Sequence, residues 1–149
     1  MNCYFDDESQ KIIINAKKEM YALKHPYVGT EHLFLAVLKD DELDITKFLK
    51  KYNITYELFY NELVKTIGLG SKTNEWFLFT PMLNSVINNA HLYSSNTLIT
   101  PTSLIISLFH EGEGIANRIL LSLKVDVGYL YEKLVDEDEL AIKMNSFNN

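Results

Sequence analysis

Glu31 and His32 stand side by side in Gly29-Thr30-Glu31-His32, the polar opening of an otherwise apolar run from Tyr27 to Leu38. A carboxylate beside an imidazole can form an acid–base pair, ligate a metal or recognise a cationic ligand. Adjacent helical residues do not face one another, so the pair is badly placed to share a proton. No HExxH pattern and no spaced Ser or Cys nucleophile accompanies it. His25 adds a second imidazole but no third spaced ligand, a weak zinc signal. The residues therefore predict no catalytic group, no metal site and no cofactor. A structural account explains them instead. Thr30 is placed to cap a helix, worth about 1 kcal/mol. Glu31 sits where the helix dipole favours negative charge, worth about 0.3–1 kcal/mol. His32 is expected to pack and bond to backbone. A second chemical candidate, Gly68-Leu69-Gly70-Ser71-Lys72-Thr73, mimics a phosphate loop but lacks glycine directly before Lys72 and follows a helical pattern where such a loop needs a strand. It reads as a linker.

The elements that must position these residues are helical nearly throughout. Asp6 is placed to cap a first helix with Ile13, Ala16, Met20 and Leu23 at three- and four-residue steps, and His25-Pro26 ends it. "LFLAVL" is apolar on all sides and predicts a buried second helix. The acidic residues from Asp40 to Asp44 separate it from "ITKFLKKY", and Thr55 caps a fourth helix with Leu58, Phe59, Leu63 and Ile67 inward. Thr80-Pro81 and Thr100-Pro101 open two more. Gly114 precedes a seventh, and Asp126 an eighth that runs on toward Met144. "WFLF", Trp76 to Phe79, is too short to count as a strand. The fold class is all-α.

Composition narrows the partners. The 149 residues carry a formal net charge of −6, which argues against nucleic acid or anionic lipid. The single Cys3 forms no internal disulfide, and the acidic N-terminus lacks the regions of a signal peptide. No apolar run is long enough to span a bilayer. A reducing, cytoplasmic setting fits best.

The order of features repeats. Ala16 lies over Ala90 at a shift of 74, while Leu33 lies over Leu104 and Leu49 over Leu120 at a shift of 71. The expectation is eight helices as two pseudo-symmetric four-helix repeats in one domain, 1–149: repeat one about 5–67, a linker about 68–79, repeat two about 80–143 and a tail at 144–149. The asparagine-rich tail reads as the start of a flexible linker.

With those residues in place, the chain resembles the N-terminal domain of the Clp ATPases. In that family each half carries a G-T-E-H-[IL]-L-L helix start and an E-G-E-G-[IV]-A turn. The first half here keeps Gly29-Thr30-Glu31-His32-Leu33-Phe34-Leu35, but its turn is Asp41-Glu42-Leu43-Asp44-Ile45. The second half keeps Glu111-Gly112-Glu113-Gly114-Ile115-Ala116, but its helix start is Thr100-Pro101-Thr102-Ser103-Leu104. The resemblance implies a non-catalytic module that binds adaptor proteins or protein substrates and presents them to a Clp AAA+ ring and, through it, the Clp protease. The chain has no G-x-x-x-x-G-K-[ST] of its own. The expectation is the N-terminal fragment of such an ATPase subunit, with a free-standing relative as the alternative.

The resemblance also implies a ligand. In the Gram-positive branch the domain can bind phosphorylated arginine at two equivalent sites. Each sets the motif glutamate against the guanidinium and a threonine of the first helix near the phosphate. Carried over, the first site holds Glu31, with Thr30 beside it, and Asp6 in the threonine's place. The second holds Thr80, with Ser103 in the glutamate's place. Asp6 would set like charge near a phosphate. Trp76 and Phe77 are candidate interface anchors, with burial in the seam between repeats as the favoured alternative. Lys17-Lys18 and the Asp136–Glu139 run read as solvated faces.

Overall fold

The computed structural model describes residues 4–73, 75–94 and 98–147, with the backbone alone for 138–147. Cys3, part of "LYSSNTLI" and the last two tail residues lie outside the described residues.

The first repeat holds α1 (Asp7–Leu23), α2 (Thr30–Lys39), α3 (Asp44–Lys51) and α4 (Tyr56–Ile67). The second holds α5 (Pro81–Ala90), a 3-10 turn (His91–Tyr93), α6 (Pro101–Glu111), α7 (Ile115–Ser122) and α8 (Val127–Phe147). Most helix starts follow the local chemistry. Asp6 accepts from the Ser9 N–H at 2.7 Å, Thr80 from Leu83 and Thr100 from Ser103. Ser103 closes a reciprocal box by accepting from the Thr100 N–H at 2.9 Å. The helix of α8 continues through Phe147, so residues 144–147 of the expected tail are helical.

The stripes shift slightly from the expected ones. In α1 the fully buried side chain is Ile12, and Ile13 is half-buried. In α4 Phe59 and Leu63 are fully buried, with Tyr56, Tyr60 and Val64 partly buried against the core; Leu58 and Ile67 face solvent. Every residue from Thr30 to Leu38 is buried, as is Ser103 to Phe109 in α6. These two helices form the centre. The Phe34 ring of α2 lies 4.7 Å from Phe59 and 6.2 Å from Phe109, so one side chain joins both repeats.

The sequence predicted no strand, yet β1 (Tyr4–Phe5) and β2 (Leu98–Ile99) pair in parallel, and Val28 bridges Phe79 likewise. These are one contact made twice. The Asp6 N–H donates to the Ile99 carbonyl and the Thr80 N–H to the Val28 carbonyl, both at 2.9 Å. A two-residue pairing is too short to leave an alternating pattern, because its partner lies in the other repeat. The turns after α3 and α7 match as well, with Asn53 and Lys124 both left-handed at φ 64° and 63°. Among the described residues no helix is long and apolar enough to cross a membrane.

Candidate ligand-binding site

The head of α2 is capped differently from the expectation. Its N-cap is Gly29, which has no side chain, and Thr30 is the first helical residue. The missing cap is replaced by a wire of imidazoles. His32 Nδ1 accepts from the Gly29 N–H at 2.8 Å, which forces its proton onto Nε2. That Nε2–H donates to His25 Nδ1 at 2.8 Å, and His25 Nε2–H donates to the Gly68 carbonyl at 2.8 Å. Burial, then the neighbouring His25, pushes the His32 pKa down to about 3, so the ring is neutral. The wire ties α2, the α1–α2 turn and the connector together. Gly70 extends that tie, with its N–H on the Leu23 carbonyl at 2.9 Å. A Cβ there would fall 1.8 Å from the Lys24 carbonyl oxygen, so only glycine fits.

His25, Glu31 and His32 place one ligand atom each within 4.8 Å of one another, which is metal-like spacing. Their chemistry is already committed, because both ring nitrogens of each histidine have partners in the wire. Glu31 is the exception. It is 4% exposed, and its Oε1 has no hydrogen-bond partner. The nearest cation candidate, His32 Nδ1 at 3.8 Å, belongs to a neutral ring. Burial raises the Glu31 pKa to about 7, against a smaller lowering by a backbone hydrogen bond. The carboxylate is folded back over Gly29, where a Cβ would lie 2.0 Å from Oε1.

Thr30 works across the repeats. Its Oγ1 accepts from the Ala116 N–H at 3.1 Å, supplying α7 with the cap that Gly114 cannot give. Gly114 has φ 100°, and a Cβ on it would press on Met82 and on Thr30 itself. Thr30→Val keeps the shape and removes the acceptor. It is expected to lower stability in denaturant melts by about 1–2 kcal/mol, with Thr30→Ser largely restoring it.

This contact shows how the halves divide the site residues. Gly112, Glu113, Gly114, Ile115, Arg118 and Met82 line a pocket of about 470 Å³, and Thr30 abuts it through Gly114. The pseudo-symmetric counterpart, of about 310 Å³, is lined by Asp6 and Glu8, by Glu42 to Ile45, and by Thr100 to Thr102. The smaller pocket therefore takes its first-helix start and its turn from one repeat and its second-helix start from the other, while the larger is lined by the second repeat with Thr30 of the first behind Gly114. The sequence reading paired Glu31 with Asp6 and Thr80 with Ser103, within repeats. The structure instead sets Thr80 against the Val28–Thr30 segment and Asp6 against Ile99–Thr102. The two kept signatures touch where Thr30 meets Gly114 and Ala116, beside the larger pocket, and the two altered ones line the smaller. That crossing leaves no trace in the order of residues, because it depends on how the repeats pack. The carboxylate of Glu31 is not in the lining of either pocket. Ser103 is buried, engaged in its capping box.

The aromatic pair of the connector separates. Trp76 is 83% exposed and does not fill the seam. Phe77 is half-buried, its ring 6.2 Å from that of Tyr21. Lys17, expected in a solvated face, is half-buried with its Nζ 5.8 Å above the Phe79 ring.

Comparison with known proteins places this arrangement. The family model described as the Clp repeat (R) N-terminal domain matches residues 4–97. Over 125 residues the chain is 30% identical to the ATP-dependent Clp protease ATP-binding subunit ClpC of Staphylococcus epidermidis, and equally so to that of Staphylococcus aureus. That alignment covers 81% of this chain and 15% of each relative, so the chain spans only a small part of the length of the proteins it matches. Among solved structures, the N-terminal domain of the chaperone ClpD from Arabidopsis thaliana superposes with TM-score 0.70 at 19% identity, covering 89% of this chain and 93% of that one. The N-domain of ClpV from Vibrio cholerae gives TM-score 0.70 at 14% identity, covering 89% and 85%. The eight α-helices among the described residues, the repeat and the matched sequence agree: this chain belongs to the Clp N-terminal domain family.

Proposed function

We propose that the chain is a non-catalytic recruitment module, which binds adaptor proteins or protein substrates and presents them to a Clp AAA+ ring. The observation that carries this is the contrast between its polar and apolar groups. The imidazole wire is closed on itself inside the fold, while Trp76 and Leu78 of the connector are exposed. Exposed aromatic side chains with little rotamer entropy to lose are typical anchors of protein interfaces. The test fuses the chain to a ClpC ring lacking its own N-terminal domain and follows degradation of an adaptor-delivered protein. Delivery by the fusion above that of the truncated ring is the expected result; equal rates would remove the proposal.

A second reading, a phosphoarginine-type receptor, is favoured by the contact of the two kept signatures, Thr30 on Gly114 and Ala116, beside one pocket. Arg118 supplies a cation there, and the first turns of α5 and α7 line it with helix N-termini that suit a phosphate. Asp6, the residue that set like charge against a phosphate, belongs to the other pocket. Glu31 would have to turn outward from Gly29 to meet the guanidinium. Calorimetric titration with phosphoarginine decides this: heat that is lost in Arg118→Ala and Glu31→Ala supports it, and no heat with the wild type ends it.

A further inference from the structure

Helix α1 carries two stripes. Ile12, Ala16, Met20 and Leu23 face the core. Ile14, Lys17, Lys18 and Tyr21 follow the i, i+3, i+4, i+7 spacing on another face, with Ile14 and Tyr21 more than half exposed. With Ala22 and Phe77 they line a groove of about 420 Å³. Phe77 completes it from the connector with φ 51°, a left-handed conformation that a bulky residue adopts only when its surroundings hold it there. Trp76 stands beside the groove in sequence and is almost fully exposed.

The charged lining residues of this groove are two lysines, Lys17 and Lys18, while the chain as a whole carries −6. Their alkyl stems add to the apolar floor; the Lys17 ammonium lies over the neighbouring Phe79 ring, and Lys18 is exposed. A groove of helical anchor spacing with a basic lining on an acidic protein selects by both shape and charge. We infer that this α1–connector groove is the docking site for an amphipathic helix of acidic character, seated with its apolar stripe on Ile14, Tyr21 and Phe77 and its carboxylates toward Lys17 and Lys18. The inference rests on the recruitment reading and names the partner's chemistry.

Trp76, the only tryptophan in the chain, reports occupancy directly. The probes are two designed helical peptides with the same leucine stripe, one with glutamate and one with lysine on the flanks. The glutamate peptide is expected to shift Trp76 emission to the blue and to bind about tenfold tighter than the lysine peptide at low salt. Ile14→Asp, on an exposed position, is expected to abolish binding without moving the melting temperature. The double variant Lys17→Glu, Lys18→Glu is expected to reverse the preference. Equal affinity for the two peptides, binding indifferent to Ile14→Asp, or an unmoved Trp76 emission would overturn the inference. So would sedimentation showing that the groove is covered by a second copy of the chain. The two readings fail separately. A Tyr21→Asp fusion that still delivers an adaptor-bound protein to the ring removes the groove and leaves recruitment standing. A wild-type fusion that delivers nothing while the glutamate peptide binds does the opposite.

Discussion

Replacing Phe34 with alanine is expected to destabilise the protein by about 3–5 kcal/mol, measured by urea or thermal unfolding. Phe34 is fully buried in α2, which is itself buried along its length, and its ring touches Phe59 of the first repeat and Phe109 of the second. The cavity would open where two repeats meet, and rigid helices on both sides restrict its collapse. Domain stabilities are commonly about 5–15 kcal/mol, so this loss is a large share of the total. Phe34→Leu keeps most of the volume and should cost much less. If Phe34→Ala melts within a degree or two of the wild type, α2 is not the shared core that the geometry describes.

The second large effect is on pH dependence. Glu31 has its pKa raised from 4.5 to about 7 by burial, so the folded protein holds a proton that the unfolded chain releases. Its favourable contribution is complete below pH 4.5 and is lost as pH rises through about 7. At about 1.4 kcal/mol per pKa unit the full span is on the order of 3 kcal/mol. His32 acts with the opposite sign. Its pKa falls from 6.5 to about 3, so its contribution is complete above pH 6.5 and is lost as pH falls toward 3. Between pH 4.5 and 6.5 the two slopes oppose one another and stability is nearly level. Glu31→Gln removes one slope. The variant is expected to gain stability over the wild type as pH rises from 5 to 8, by up to about 3 kcal/mol, and to match it below pH 4.5. A difference that does not change with pH would show that Glu31 is not held protonated by its burial.

Much of the fold was legible because local chemistry and packing agree. Thr55, Thr80 and Thr100 cap the helices they open, and the all-apolar run after His32 becomes the central helix. The failures lie where a residue's partner is distant in sequence. Thr30 reads locally as an N-cap, yet its hydroxyl caps α7 of the other repeat. The two-residue strands are invisible alone, since each exists only against the opposite half. Trp76 and Phe77 were expected to plug the seam, but on a connector held to the α1–α2 turn through Gly68 and Gly70 Trp76 is exposed and Phe77 half-buried. The family signatures name the candidate site residues singly; which of them stand together depends on the packing of one repeat on the other.

The cap from Thr30 to Ala116 and the two bridges at Ile99 and Val28 make the halves of this protein incomplete without each other. A peptide ending near Ile67 would lack the strand partner of Tyr4 and Phe5, and one beginning near Thr80 would lack the oxygen that starts α7. Cleavage in the connector should therefore not yield two small domains. It should yield fragments that are each poorly folded yet reassemble when mixed, so the structural unit is the pair, although the repeated unit is the half.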